Sequence, residues 1–197
     1  MTRSASRQRT TKETSVSVAV DLDGPEGKVN VSTGLPFFDH MLDQLGRHGG
    51  FDLTVEVQGD LHVDGHHTVE DVGILLGETF REALGDKAGV RRFASGTFPL
   101  DEALISVALD LSGRPFVAYD VPFGEVLPLG DPPFNPEMVE HFISSFAMNA
   151  AMTLHVGKLA GTNTHHVVEA TFKGLARCLR DAVRVEGAGV PSTKGTL

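Results

Sequence analysis

The chain has 197 residues, enough to bury an ordinary core as one domain or as two closely packed halves. Its formal net charge of -9 argues against general nucleic-acid binding, which relies on cationic surface, and no apolar run approaches the roughly 20 residues needed to span a bilayer. The single cysteine, Cys178, rules out an intramolecular disulfide framework and fits a reducing cytoplasm.

The chain opens on Arg3, Arg7 and Arg9 among Ser and Thr with no apolar stretch behind them, so no secretory signal is expected. Residues 1–8 read as a polar, poorly ordered tail. Alternating residues from Ser15 to Asp21 and from Lys28 to Thr33, joined through Asp23-Gly24-Pro25-Glu26-Gly27, predict a β-hairpin. Pro36 opens a helix with Phe37, Phe38, Met41, Leu42 and Leu45 on one side, and Gly49-Gly50 ends it. Phe51 to Val57 alternates apolar and polar without a slip, as a strand with one buried face does. A second helix is predicted from His66 to Leu84, with Val69, Val72, Leu76, Phe80 and Ala83 on its inner stripe.

A boundary follows near Gly85–Gly89, and the order then repeats. Strands are predicted near Arg92–Pro99, Ala103–Asp110 and Pro115–Val121, then a Pro- and Gly-rich loop from Pro122 to Pro136. A helix to Met152, a strand near Leu154–Leu159 and a helix from Thr164 to Val183 complete the second half. Cys178 lies in that last helix beside Leu175 and Leu179, where a small buried side chain is the expected role. The fold class read from this order is α+β, a tandem duplication with helices on one face of each sheet. Residues 9–88 form the first repeat and 89–197 the second.

The halves also share a chemical pattern. His66-His67-Thr68-Val69-Glu70 recurs as His165-His166-Val167-Val168-Glu169, and each copy has a lone upstream histidine, His40 or His141, next to or near phenylalanine on a predicted helix. Six of the nine histidines thus fall into two matching sets, while His48, His62 and His155 read as ordinary surface or helix-end residues. One such motif would be a weak signal, but two in register with a third histidine are hard to obtain by accident. Imidazoles with carboxylates suit manganese, iron, nickel or zinc, and the lack of a cysteine cluster disfavours a structural zinc knuckle.

Adjacent helical residues point about 100° apart, so one ion is not expected to take both histidines of a pair. The first histidine and the glutamate share a face, and each pair would serve two ions. A helix N-terminus disfavours a cation but helps keep the imidazoles neutral, and Glu70 and Glu169 offset the repulsion. Pseudo-symmetry suggests His40, His66, Glu70 and His166 for one ion and His141, His165, Glu169 and His67 for the other.

With these motifs in view, the chain resembles the imidazoleglycerol-phosphate dehydratases of histidine biosynthesis. The resemblance runs from Arg9 to the end. It rests on Arg9-Thr10-Thr11-Lys12-Glu13-Thr14, Leu35-Pro36-Phe37-Phe38-Asp39-His40-Met41-Leu42, the two His-His motifs, Arg91-Arg92-Phe93, Leu100-Asp101-Glu102-Ala103, Ser112-Gly113-Arg114-Pro115 and Pro191-Ser192-Thr193-Lys194-Gly195. It implies a ribosomal protein S5 domain 2-like fold in each half, two manganese(II) ions per subunit, and a homo-oligomeric shell of 24 subunits built from trimers, with active sites between subunits. It further implies His40, His66, His67, Glu70, His141, His165, His166 and Glu169 as metal ligands. Glu13, Gln44, Arg92, Arg114, Lys173, Ser192 and Lys194 match positions that contact substrate. By spacing alone each of these cations would be read as surface charge, and Glu13 as a solvated residue before a strand.

The substrate so implied, a small phosphate ester, carries an imidazole, two hydroxyls and a phosphate, and loses water to give a ketone. Its C–H has no neighbouring carbonyl, so a base alone would fail. A ring held by metal through both nitrogens can lose its proton and expel the neighbouring hydroxyl, which acidifies the adjacent C–H and leads through an enol to the ketone. Glu169 and Glu13 are the candidate bases. Arg92, Arg114, Lys173 and Lys194 are the candidate phosphate donors. Two other classes fit the motifs alone: a dinuclear hydrolase of a phosphorylated small molecule, and a non-catalytic metal-storage shell.

Overall fold

The computed structural model describes residues 3–24, 27–124, 127–195 and 197. The first half contains β1 (Ser4–Thr10), β2 (Thr14–Asp21), β3 (Val29–Ser32), α1 (Pro36–Gly49), β4 (Asp52–Gly59) and α2 (His66–Leu84). The second contains β5 (Phe93–Leu100), β6 (Ala103–Asp110), β7 (Phe116–Asp120), α3 (Met138–Asn149), β8 (Thr153–Ala160) and α4 (Thr164–Ala182). Each half builds a four-stranded mixed sheet, ordered β1-β2-β4-β3 and β5-β6-β8-β7, with the third strand parallel to its neighbour. The α+β duplication is therefore present in the connectivity itself.

Two expectations need correction. Of the expected loose tail over residues 1–8, residues 1 and 2 lie outside the described residues, and the rest is ordered: Ser4 to Thr10 pair in antiparallel register with β2, from Ser4 opposite Asp21 to Thr10 opposite Ser15. Alternating apolar residues do not drive this strand. It is held by its ladder and by arginines, with Arg7 on Glu78 and Glu82 and Arg9 on Asp71, all three carboxylates belonging to α2. The first repeat accordingly begins at Ser4, not at residue 9. The predicted hairpin between Ser15–Asp21 and Lys28–Thr33 is also absent, because β4 lies between β2 and β3. Pairing with β4 sets Val16 opposite Val57, Val18 opposite Val55 and Val20 opposite Leu53, which buries three valines at once. The short β3 then takes the free edge of β4 in parallel. Pro25 and Glu26 of the expected turn lie outside the described residues.

The helices form a layer between the sheets, and they pair across the halves. α1 packs on β3 and against α4, while α2 packs on β1 and β2 and against α3. Burial follows: Phe38, Leu42 and Leu45 of α1, Phe142 and Phe146 of α3, and Phe172 and Leu175 of α4 are all within 1% of full burial in one continuous core. The α2–α3 approach is set by two glycines. A Cβ on Gly77 would lie 2.5 Å from the Phe146 carbonyl oxygen, and one on Gly73 would lie 3.0 Å from that of Phe142. Only residues without side chains let these backbones come so close.

Candidate active site

Side-chain acceptors just ahead of α2 and α4 hold the histidine-bearing turns in place. The Asp64 carboxylate accepts from the His66 N–H at 2.8 Å, and the Asn163 side chain accepts from the N–H groups of His165 and His166. On α1, Asp39 accepts from the backbone and hydroxyl of Thr33, which ties the turn carrying His40 to the end of β3.

The cross-half helix pairs decide which ligand candidates meet. His40 of α1 places Nε2 3.5 Å from Glu169 Oε2, and His165 Nε2 lies 3.0 Å from the same oxygen. Donor atoms of these three residues all fall within 4.8 Å of one another, the only such group among the described residues. In the matching place between α3 and α2, the His141 and His66 rings are 4.6 Å apart, and His66 Nε2 is 3.9 Å from Glu70 Oε2. The lone histidine of each half thus joins the motif of the other half. This reverses the expected grouping of His40 with His66 and His141 with His165, because α1 packs against α4 and α2 against α3. His67 and His166 turn away from both groups, their Nδ1 atoms on Asp60 at 3.0 Å and on Glu102 at 2.7 Å.

Donor chemistry and spacing suit a divalent ion. Atoms bonded to one ion at roughly 2.1 Å sit about 3–4.2 Å from each other, and the contacts of Glu169 with His165 and His40 fall within that range. Burial pushes the Glu169 carboxyl up, but Lys173, His165 and His40 together outweigh it and hold the group below its ordinary value. Lys173 is closest, with Nζ 2.6 Å from Oε1. One turn further along α1, the Gln44 amide oxygen meets His48 Nε2 at 3.1 Å. Burial, then the charges of Lys173 and Arg177, lower the His48 pKa. Glu13 stands in the β1–β2 turn, half exposed, with its carboxylate 3.8 Å from His67 Nε2.

The remaining cations gather elsewhere. Arg92, Arg114, Ser192 and Lys194 line one pocket with Pro191 and Thr193. Arg92 grips Asp110 through two nitrogens, at 2.6 and 3.0 Å, and donates a third bond to the Pro191 carbonyl. The Asp110 contact raises the Arg92 pKa and makes this side chain the strut of the pocket. Arg114 and Lys194 are exposed beside it. The Arg92 backbone N–H donates to the carbonyl of Ala182, the last residue of α4. His165 and Glu169 sit at the first turns of that helix, so along α4 the histidine cluster and the cationic pocket of one chain lie roughly 20–25 Å apart, at 1.5 Å per residue.

Sequence reasoning missed Asp60, Glu102 and Asp110. Glu102 lies in a quoted motif, Leu100-Asp101-Glu102-Ala103, but reads there as a turn residue. Asp110 becomes visible only through strand register, which sets it opposite Phe93, next to Arg92.

A sequence profile described as imidazoleglycerol-phosphate dehydratase matches residues 33–179. The imidazoleglycerol-phosphate dehydratase of Acidothermus cellulolyticus is 57% identical over 196 residues, covering 99% of this chain and 93% of that one. That of Methylorubrum extorquens is 52% identical over 198 residues, covering 99% and 100%. Among solved structures, the Staphylococcus aureus dehydratase superposes with a TM-score of 0.82 at 33% identity, over 92% of this chain and 99% of that one. The Pyrococcus furiosus enzyme gives 0.82 at 37%, over 97% and 100%. Shared sequence over nearly the full length, the same duplicated fold and the two histidine motifs lead to one assignment: the chain belongs to the imidazoleglycerol-phosphate dehydratase family of hydro-lyases.

Proposed function

We propose that this chain dehydrates D-erythro-imidazole-glycerol phosphate to imidazole-acetol phosphate and water in L-histidine biosynthesis, with two manganese(II) ions per subunit. The observation that carries the metal reading is the cluster of His40, His165 and Glu169. When bound, the ions would supply Lewis acidity to the nitrogens of the substrate ring. His40, His165 and Glu169 would hold one ion and His66, Glu70 and His141 the other. His67 and His166 would reach ions bound to neighbouring copies.

The roughly 20–25 Å along α4 supports an active site shared between subunits. The substrate's ring and phosphate are joined by a three-carbon chain, far too short to span the ring site and the Arg92 pocket of one chain. Lys173 and Gln44, beside the ring site, would meet the phosphate together with Arg92, Arg114, Ser192 and Lys194 of another copy. This is what a closed homo-oligomer provides, and the 24-subunit shell built from trimers is the assembly proposed. No described helix is long and apolar enough to cross a membrane.

Of the two candidate bases, Glu13 is the freer. Glu169 is 13% exposed and engaged by Lys173, His165 and His40, which leaves it a poor proton acceptor and a good ligand. Glu13 is 54% exposed, and among the described residues its carboxylate faces only the edge of His67. It can take the side-chain proton or hold a substrate hydroxyl.

The test is incubation of the manganese-loaded protein with the imidazole-bearing glycerol phosphate. A ketone should form without phosphate release, and chelation should stop it. Release of inorganic phosphate would establish a hydrolase instead, and neither product would point to storage.

A further inference from the structure

The structure assigns to Glu102 and Asp60 a positioning role: each fixes the ring orientation and tautomer of one outward-facing histidine, His166 or His67, so that Nε2, with Asp101 or Glu13 at 3.8 Å, is left to carry the lone pair. The assignment rests on the metal reading above and adds two residues to it. Glu102 Oε2 lies 2.7 Å from His166 Nδ1, and Asp60 Oδ2 lies 3.0 Å from His67 Nδ1. An ionised carboxylate can only accept, so in the neutral imidazole Nδ1 carries the proton and Nε2 the lone pair. A ligating histidine is normally held from behind in this way.

The halves reach this arrangement by different routes. Asp60 is the first residue after β4, and its counterpart after β8 is Gly161. Gly161 has φ +125°, and a Cβ there would lie 2.8 Å from Val167 Cγ2 and 2.9 Å from the Ala103 Cα. No carboxylate fits at that place, so the second half takes one from the β5–β6 turn. Glu102 immediately precedes β6 as Glu13 immediately precedes β2. In the second half the turn glutamate is spent on Nδ1 of its histidine. In the first half Asp60 serves Nδ1, and Glu13 is left facing the other nitrogen, Nε2, at 3.8 Å. The duplicated scaffold thus keeps two supported histidines while only one of its paired turn glutamates stays available to substrate.

Glu102 has a second duty, which decides the choice of variant. Its Oε1 accepts from the backbone N–H groups of Thr162 and Asn163, the approach to α4. Glu102→Ala removes both supports. Glu102→Gln has one carbonyl oxygen, which the two backbone donors claim, so its NH₂ turns to His166 Nδ1. A donor there demands the opposite tautomer, with the proton on Nε2, while the loop stays held.

The experiment compares wild type, Glu102→Gln, Glu102→Ala and Asp60→Asn in two ways. In metal-free protein at alkaline pH, where the rings are neutral, ¹⁵N NMR should show His166 and His67 protonated on Nδ1. Glu102→Gln should invert His166 alone, and Asp60→Asn His67 alone. Titration with manganese(II) should show affinity lowered on the order of 10–100-fold in each variant, with unchanged far-UV circular dichroism in Glu102→Gln. Should Glu102→Ala fail to fold, Glu102→Gln and Asp60→Asn still decide. The positioning role is overturned if the wild-type rings carry the proton on Nε2, or if the two amide variants bind manganese as wild type does. Wild-type protein that binds no manganese would overturn the metal reading, while the tautomer result would still judge the positioning role.

Discussion

His40, on the first helix of the first half, places its Nε2 3.5 Å from Oε2 of Glu169, on the last helix of the second. Neither half could assemble this group by itself. The contact exists because α1 packs against α4, just as α2 packs against α3 and brings His66 to His141. Duplication followed by crossed packing turns one motif into two composite sites.

That crossing makes a testable statement about coupling. Residues that share an ion should show strongly non-additive losses, and residues on separate ions additive ones. His40→Ala and His165→Ala are expected to remove the same manganese, so the double variant should hold as much metal as either single one. His40→Ala combined with His66→Ala should lose both ions. Metal analysis per chain after equilibrium dialysis checks this. Loss of both ions in the His40/His165 double variant alone would separate these residues onto different sites.

The α2–α3 contact should be intolerant of even one methyl group. A Cβ on Gly77 would sit 2.5 Å from the Phe146 carbonyl oxygen and 2.8 Å from Asn149 Cβ, so the helices must move apart. Gly77→Ala is expected to cost about 1–3 kcal/mol, as overpacking does, despite the better helix propensity of alanine. Gly73→Ala, one turn nearer His66, should also weaken metal binding where α2 and α3 carry their histidines. Denaturant unfolding and manganese titration would measure the two effects, and wild-type stability in Gly77→Ala would contradict the packing argument.

The contrast between α2 and β1 shows what was legible. α2 begins at His66 and ends at Leu84, as expected, because its apolar stripe has the helical period and its core contacts follow that stripe. β1 carries no such signal: its side chains are polar apart from Ala5, and its partners are a strand edge and acids on α2 distant in sequence. The same reason hid the order of β2, β4 and β3, since local alternation marks a strand but not its neighbour. At the site, residue types and spacing identified His66, Glu70, His165 and Glu169 as candidate ligands. They could not show that His40 faces Glu169, that Glu102 backs His166, or that Arg92 is clamped by Asp110. Those relations are set by packing between segments, which a single sequence does not display.

Cys178 is expected to be chemically silent. It is 1% exposed beneath β6, near the Val107 carbonyl, and burial pushes its thiol up to about 12. At pH 8 only about one thiol in 10⁴ would be ionised, and the thiolate is the reactive form. Native protein should therefore resist a disulfide reagent that labels the denatured chain at once. Rapid stoichiometric labelling of folded protein would show that the surrounding helix opens readily.

The division between phosphate and ring should appear in steady-state kinetics. Lys194 is exposed in the Arg92 pocket, its backbone N–H donates to Ser192 Oγ, and among the described residues no side-chain partner is found, so the proposed role of its ammonium is to meet the phosphate, which does not react. In the proposed reaction Glu169 stands instead where charge develops. A contact made equally in ground and transition states raises KM when lost, whereas one realised in the transition state lowers kcat. Lys194→Ala is expected to weaken substrate binding by about 1.5–3 kcal/mol, the loss of one charge-assisted hydrogen bond. Glu169→Gln removes the carboxylate that His40, His165 and Lys173 share, and should chiefly lower kcat. Binding energy at the phosphate also positions the ring, so a modest fall in kcat for Lys194→Ala fits the assignment. The opposite pattern, with KM kept in Lys194→Ala and kcat kept in Glu169→Gln, would mean that the phosphate and metal ends have been assigned to the wrong residues.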